Sequence, residues 1–159
     1  MTARGSDAIV RSSSSGSKDF APVVNPQEPM STKAGVYIRV STEEQDPENQ
    51  LAQLEALCTA RGWEICHVYR DIERGGNPAR VALNELMHDG RVGKFQVVVF
   101  WSWDRVTRGG IRPAMDIMER WKGWSLRWES LREPFLSSAS DSSTADLLLA
   151  IVAWAAKQE

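Results

Sequence analysis

At 159 residues, with 42% apolar and 25% charged residues and a formal charge of −2, the chain has the size and mix of one globular domain. A collagenous, wholly disordered or multidomain organisation is excluded. The longest apolar run, Leu147 to Ala156, covers ten residues, about half of the roughly 20 that a membrane-spanning helix needs. No apolar stretch follows Arg4 and Arg11, so no secretory leader is expected and the expected compartment is the cytoplasm. Cys58 and Cys66 are too few and too close for a disulfide framework, and with only His67 and His88 beside them no zinc spacing arises. The basic residues are 14 Arg against 5 Lys, and a guanidinium fork suits phosphate or carboxylate, so placement matters more than the sum.

Residues 1 to 33 read as a disordered tail, rich in Ser, Gly and Pro and poor in large apolar side chains. From Gly35 the pattern becomes an alternation of short apolar runs and amphipathic stretches. Gly35 to Val40 predicts a strand, and Glu43 to Arg61 a helix with Leu51, Leu54, Leu57 and Cys58 on one face and Gly62 as its stop. Glu64 to Arg70 predicts a second strand. Asn77 and Pro78 offer a cap and a first-turn proline for a helix through His88 that Gly90 ends. Phe95 to Trp101 predicts a strand buried on both faces, Ile111 to Gly123 a helix, and Ser125 to Ser130 a fourth strand. After a polar loop over Ser137 to Ser143, the pair Ser143 and Asp146 resembles a capping box for a terminal helix from Thr144. The expected fold is α/β: a mainly parallel sheet of about four to five strands with helices on both faces. The terminal helix is apolar nearly all round, which calls for burial in the core or against another chain.

Period two puts Tyr37, Arg39 and Ser41 on one face of the first strand and Val36, Ile38 and Val40 on the other. A buried arginine is costly unless it meets an anion, and in open parallel sheets ligands bind beyond the carboxyl ends of the strands. Ser41 would stand there. The third strand delivers Asp104, Arg105 and Arg108 to the same edge, the second delivers Asp71, and Glu129 and Glu133 are expected just beyond the fourth. One serine among converging arginines suits phosphoryl chemistry, in which guanidinium forks hold non-bridging oxygens and stabilise developing charge. A Ser-His-Asp hydrolase would need a base near Ser41, but His67 lies in a strand, His88 on a helix, and no Gly-x-Ser-x-Gly elbow is present. The Ser-Thr-Glu-Glu-Gln turn likewise lacks a dinucleotide fingerprint. The seven tryptophans read as packing residues before base-stacking ones.

Tyr37-Ile38-Arg39-Val40-Ser41-Thr42-x-x-Gln45 resembles the N-terminal signature of the serine recombinases, the resolvases and invertases. Asn49-Gln50 is similar to that family's following glutamine, Asp104-Arg105-Val106-x-Arg108 to its second catalytic block, and Asp71 and Arg80 stand at their usual places. The resemblance spans residues 34 to 159. It implies a resolvase-like fold and a Ser41 that attacks a DNA phosphodiester, holds the 5′ end as a phosphoserine ester, and reseals strands after exchange. Arg39, Arg105 and Arg108 would clamp the phosphate, Asp104 would orient an arginine or assist proton transfer, and Tyr37, Gln45, Gln50, Asp71 and Arg80 would support them. The ester conserves the bond energy, so no nucleotide, metal or other cofactor is implied. The implied partners are DNA and further copies of the chain, as homodimer and tetramer through the terminal helix.

The family continues that helix and adds a DNA-binding module, which is expected to be absent from a chain that stops at Glu159. A different class of function is then open: a non-catalytic protein of the same fold that pairs with full-length recombinases and inhibits them.

Overall fold

Among the described residues, four strands form one parallel sheet in the order β2-β1-β3-β4, with β1 at Lys33–Ser41, β2 at Glu64–Glu73, β3 at Val97–Phe100 and β4 at Arg127–Ser130. The helices with defined bounds among the described residues are α1 (Pro47–Arg61), α2 (Val81–Arg91), the single turn α3 (Trp103–Val106) and α4 (Ile111–Gly123). The computed structural model describes residues 30–41, 46–73 and 80–138, with positions 151, 154, 155 and 157.

The alternation expected of β1 divides the molecule into two layers. Val36, Ile38 and Val40, with Val97 and Val99 of β3, pack beneath Leu54 and Cys58 of α1. Tyr37 and Tyr69, with Val98 and Phe100, face the other way against Leu83 and Leu86 of α2 and Met118 and Trp121 of α4. Each fully buried aliphatic side chain stabilises by about 1.5–3 kcal/mol, so both faces of β1 and β3 need a helical cover. Trp103, Trp121 and Trp128 form a chain of tilted rings with centroids 5.7 and 6.0 Å apart in that second layer, which is core packing as expected. Ile151 and Trp154, helical positions near the end of the chain, are buried in the same cluster.

Element boundaries differ from the sequence reading where local chemistry intervenes. Lys33, expected in the tail, already pairs with Glu64, whereas residues 1–29 of that tail lie outside the described residues. Helix α1 starts at Pro47, not Glu43, because Asp46 caps it by accepting from Asn49 N at 2.9 Å and Pro47 takes the first-turn place. It ends where expected, at Gly62 in the left-handed region with φ 70°. Gly90 does not end α2; it lies inside the helix, where the absent side chain admits Leu126 and Phe95. Strand β3 is confined to Val97–Phe100, with the Phe95 ring packed over Gly35 before it and a bend at Trp101 after it. Strand β4 begins two residues late because Ser125 takes φ 56° in the turn after α4. The Asn77 and Pro78 start and the Ser143–Asp146 box lie outside the described residues, but Arg80, not Asn77, precedes α2.

Arg80 supplies no side-chain cap to α2. Asp71 of β2 does so from across the layer: its Oδ1 accepts from Ala82 N at 2.8 Å, and its Oδ2 accepts from Leu83 N and from the Tyr37 hydroxyl, both at 3.0 Å. The far end of α2 is tied to β2 in the same manner. The Tyr69 hydroxyl donates to Asp89 Oδ2 at 2.8 Å, and Lys94 Nζ lies 2.7 Å from Asp89 Oδ1. At the outer edge of β4 the chain turns back through a 3-10 turn at Pro134–Leu136. There Ser137 and Ser138 meet the strand: Ser138 Oγ accepts from Trp128 N at 2.6 Å, Ser138 N donates to Trp128 O at 3.0 Å, and Ser137 Oγ accepts from Ser130 N at 3.2 Å.

Asp71→Ala leaves two helix N–H groups and a buried phenol without their acceptor, and should cost about 1–3 kcal/mol in urea denaturation, with Asp71→Asn in between. The bond to Lys94, then that to Tyr69, holds the Asp89 carboxyl below its ordinary value. A depressed folded value means its contribution is present above the unfolded value of about 3.9 and is lost as pH falls through the folded one. The difference in melting temperature between wild type and Asp89→Asn should therefore be largest near neutral pH and shrink in acid.

Candidate active site

The sheet order reverses at β1, whose neighbours are β2 on one side and β3 on the other. In an open parallel sheet the crevice beyond the carboxyl ends at such a switch point is the place for a ligand. Ser41 is the last residue of β1 and half-buried. The residues after β3 form α3 and then, past Thr107, a bend that opens with Arg108. The register sets three pairs in successive rows on the α2-facing layer: Tyr37 beside Tyr69, Arg39 beside Asp71, and Ser41 beside Glu73.

Arg39 is the centre of the constellation. Its side chain is only 12% exposed, and its guanidinium is held below its ordinary pKa, first by burial and then by the charges of Arg80, Arg108 and Arg105, with the Tyr37 phenol working the other way. Three other guanidiniums thus lie close enough to Arg39 to disfavour its charge. Arg39 Nε lies 3.8 Å from Glu73 Oε2, and Arg108 Nη2 donates to Glu73 Oε1. Arg39 Nε and Nη1 have no hydrogen-bond acceptor among the described residues. A concentration of positive charge at a strand end, part of it without hydrogen-bond acceptors, is suited to an anion.

The segment that presents Arg105 and Arg108 is held from both sides. Trp103 N, the first N–H of α3, donates to Glu133 Oε2 at 3.2 Å, and Glu133 is itself held by the Ser130 hydroxyl. At the other end Arg80 Nη1 donates to Val106 O. Thr107 closes the turn with bonds to Trp103 O from its N–H at 2.8 Å and its hydroxyl at 3.3 Å.

The structure brings Ser41, Arg39, Arg80, Arg105 and Arg108 to one edge. Asp104 is beside them, 3.7 Å from Arg105 Nε, on a side chain that is 57% exposed. Tyr37 stands beneath the cluster as a buried donor to Asp71; burial, then the charge of Asp71, raises its pKa, so it stays protonated at neutral pH. Asp71 lies in the row of Arg39, but its oxygens are committed to α2 and Tyr37, which makes it an architectural residue. Gln50 is in the first turn of α1, half-buried, and Gln45 lies outside the described residues. Glu129 is not beyond β4 as expected: it sits within the strand on the opposite layer, 2.7 Å from Arg61 Nη2 of α1. Burial, then the nearby Glu129 charge, pushes the Cys58 thiol up to about 11, so it is a packing group at neutral pH. Among the described residues no group of three or more His, Cys, Asp or Glu is placed to hold a metal ion. The sequence reading passed over Glu73, although the period-two step from Asp71 puts it on the same face.

Comparison with known proteins agrees with this geometry. The family model described as "Resolvase, N terminal domain" matches residues 34–159. Over 116 residues the chain is 28% identical to the transposon Tn501 resolvase of Pseudomonas aeruginosa and to the Tn4653 resolvase of Pseudomonas putida, covering 73% of this chain and 56% of each relative. It therefore spans a little over half the length of these relatives. Among solved structures, the N-terminal catalytic domain of TP901-1 integrase superposes with a TM-score of 0.64 at 22% identity, covering 80% of this chain and 97% of that domain. A resolvase family site-specific recombinase from Streptococcus pneumoniae gives 0.65 at 19% identity, covering 80% and 88%. The match over residues 34–159, joined to a parallel sheet that carries Ser41 and its arginines at one edge, places the chain in the resolvase family of serine recombinases, as that family's N-terminal domain.

Proposed function

We propose that this chain is the DNA-cleaving and rejoining domain of a site-specific recombinase, with Ser41 as nucleophile. The observation that carries the reading is the convergence of Arg39, Arg80, Arg105 and Arg108 on the strand end that bears Ser41. In the proposed reaction Ser41 Oγ attacks phosphorus in a DNA phosphodiester. A bond forms between Oγ and phosphorus, the bond from phosphorus to the 3′ oxygen breaks, and the serine proton ends on the departing 3′ hydroxyl. One phosphoester replaces another, so the step is reversible and strand exchange can be sealed by its reverse. The guanidiniums of Arg39, Arg105 and Arg108 hold the non-bridging oxygens and stabilise the charge that builds on them. Arg80, through Val106 O, and Glu133, through Trp103 N, fix the segment that carries two of those arginines. Asp104 orients Arg105, and Gln45 and Gln50 complete the surroundings. The partners are DNA and other copies of the chain, as dimer and tetramer through the terminal helix, and the setting is the cytoplasm.

The chain incubated with a pool of nicked duplexes should acquire a nucleotide mass on the peptide that contains Ser41, and Ser41→Ala should lose it. A label that persists in Ser41→Ala, or that maps to another residue, would overturn the mechanism. Arg39→Ala should lower the rate of labelling by about 10²–10³-fold, the loss typical when a group that stabilises transition-state charge is removed.

A further inference from the structure

Glu73 ends β2 in direct register with Ser41, on the face that carries Arg39. Its two oxygens reach two different guanidiniums, Oε2 toward Arg39 Nε at 3.8 Å and Oε1 to Arg108 Nη2. Asp71 is committed to α2 and Tyr37, Glu48 is paired with Arg70, and Asp104 meets a single guanidinium of the cluster, that of Arg105, at the solvent side. A cluster of partly buried guanidiniums needs a counter-charge, and a carboxylate is drawn to the same guanidiniums as a phosphate, here by a hydrogen bond from Arg108 and by charge alone at Arg39. We propose that Glu73 is the internal anion of this site, a specificity-determining residue that occupies the phosphate position beside Ser41 and must be displaced by the incoming phosphodiester.

The inference rests on the reading of the arginine cluster as a phosphate site. Displacement sets a threshold. A free small anion must offset the whole loss of the Glu73 contacts, whereas a phosphate within DNA is presented by its flanking contacts at high effective concentration. Glu73 thereby biases the site against inorganic phosphate and toward a phosphodiester already held in place.

The test uses the full chain, with inorganic phosphate as the probe and chloride balancing the ionic strength, read by thermal melting. Glu73→Gln keeps the side-chain shape and removes the charge. It should melt below wild type in chloride, rise more steeply with phosphate, and reach half of its rise at a phosphate concentration roughly five- to tenfold lower. Glu73→Asp, which retracts the carboxylate by one methylene, should fall between the two and serves if Glu73→Gln is too unstable to melt cooperatively. Glu64→Gln, the same charge change at the far end of β2, should keep the wild-type phosphate dependence. Equal phosphate dependence in wild type, Glu73→Gln and Glu73→Asp would overturn the role of Glu73 alone. Absence of any phosphate dependence in all of them would instead overturn the phosphate-site reading, and a gain in Glu64→Gln matching that of Glu73→Gln would reduce the effect to net charge.

Discussion

The carboxylate of Asp71 joins three elements at one point. It projects from β2, accepts from the N–H groups of Ala82 and Leu83 in the first turn of α2, and receives the hydroxyl of Tyr37 on β1. Fixing the start of α2 fixes Arg80, which precedes it, and Arg80 in turn holds the carbonyl of Val106 at the end of α3. The position of Arg105 and Arg108 is therefore linked, through two hydrogen-bonded steps, to the carboxylate of Asp71. Buried polar groups of this kind are costly if any member is lost, which gives the edge of the sheet its definition.

The chemistry of the site follows from an electrostatic conflict that the fold does not fully resolve. Arg39 is drawn under the strand end by the alternation of β1, and its neighbours repel it. A protein selected only for stability would relieve this by exchanging one guanidinium for an apolar side chain. Keeping four in place is intelligible when a polyanionic ligand completes the set, because its oxygens supply the interactions that the free protein lacks. The acidic overall balance of the chain is compatible with this, since local placement and not the sum decides what approaches the crevice.

Much of this was legible in the sequence because it depends on local periodicity. The two faces of β1, the strand-helix alternation, the Gly62 stop and the assembly of Ser41 with three arginines all follow from spacing alone. What was not legible depends on partners distant in sequence. Asp71 reads as a ligand-facing acid until α2 is seen to begin beside it. Helix α3 is a single turn whose first N–H is satisfied by Glu133, thirty positions away, and no local signal marks such a helix. Glu129 and Glu133 are four residues apart, yet one faces α1 and the other α3, because β4 ends between them. The termini of α1 and β4 moved because single residues, Asp46 and Ser125, carry the backbone out of regular structure.

The serine hydroxyls along β4 have a consequence for how the sheet meets its surroundings. Ser137 and Ser138 satisfy the outward N–H and C=O of Trp128 and the N–H of Ser130, so at these groups the margin offers no ladder to another strand. At the opposite margin β2 runs for ten residues with no strand beyond it among the described residues, guarded by the charges of Glu64, Arg70 and Glu73. Among the described residues the two flanks thus differ: one is capped at Trp128 and Ser130, and the other is defended by electrostatics that salt or a complementary surface can neutralise.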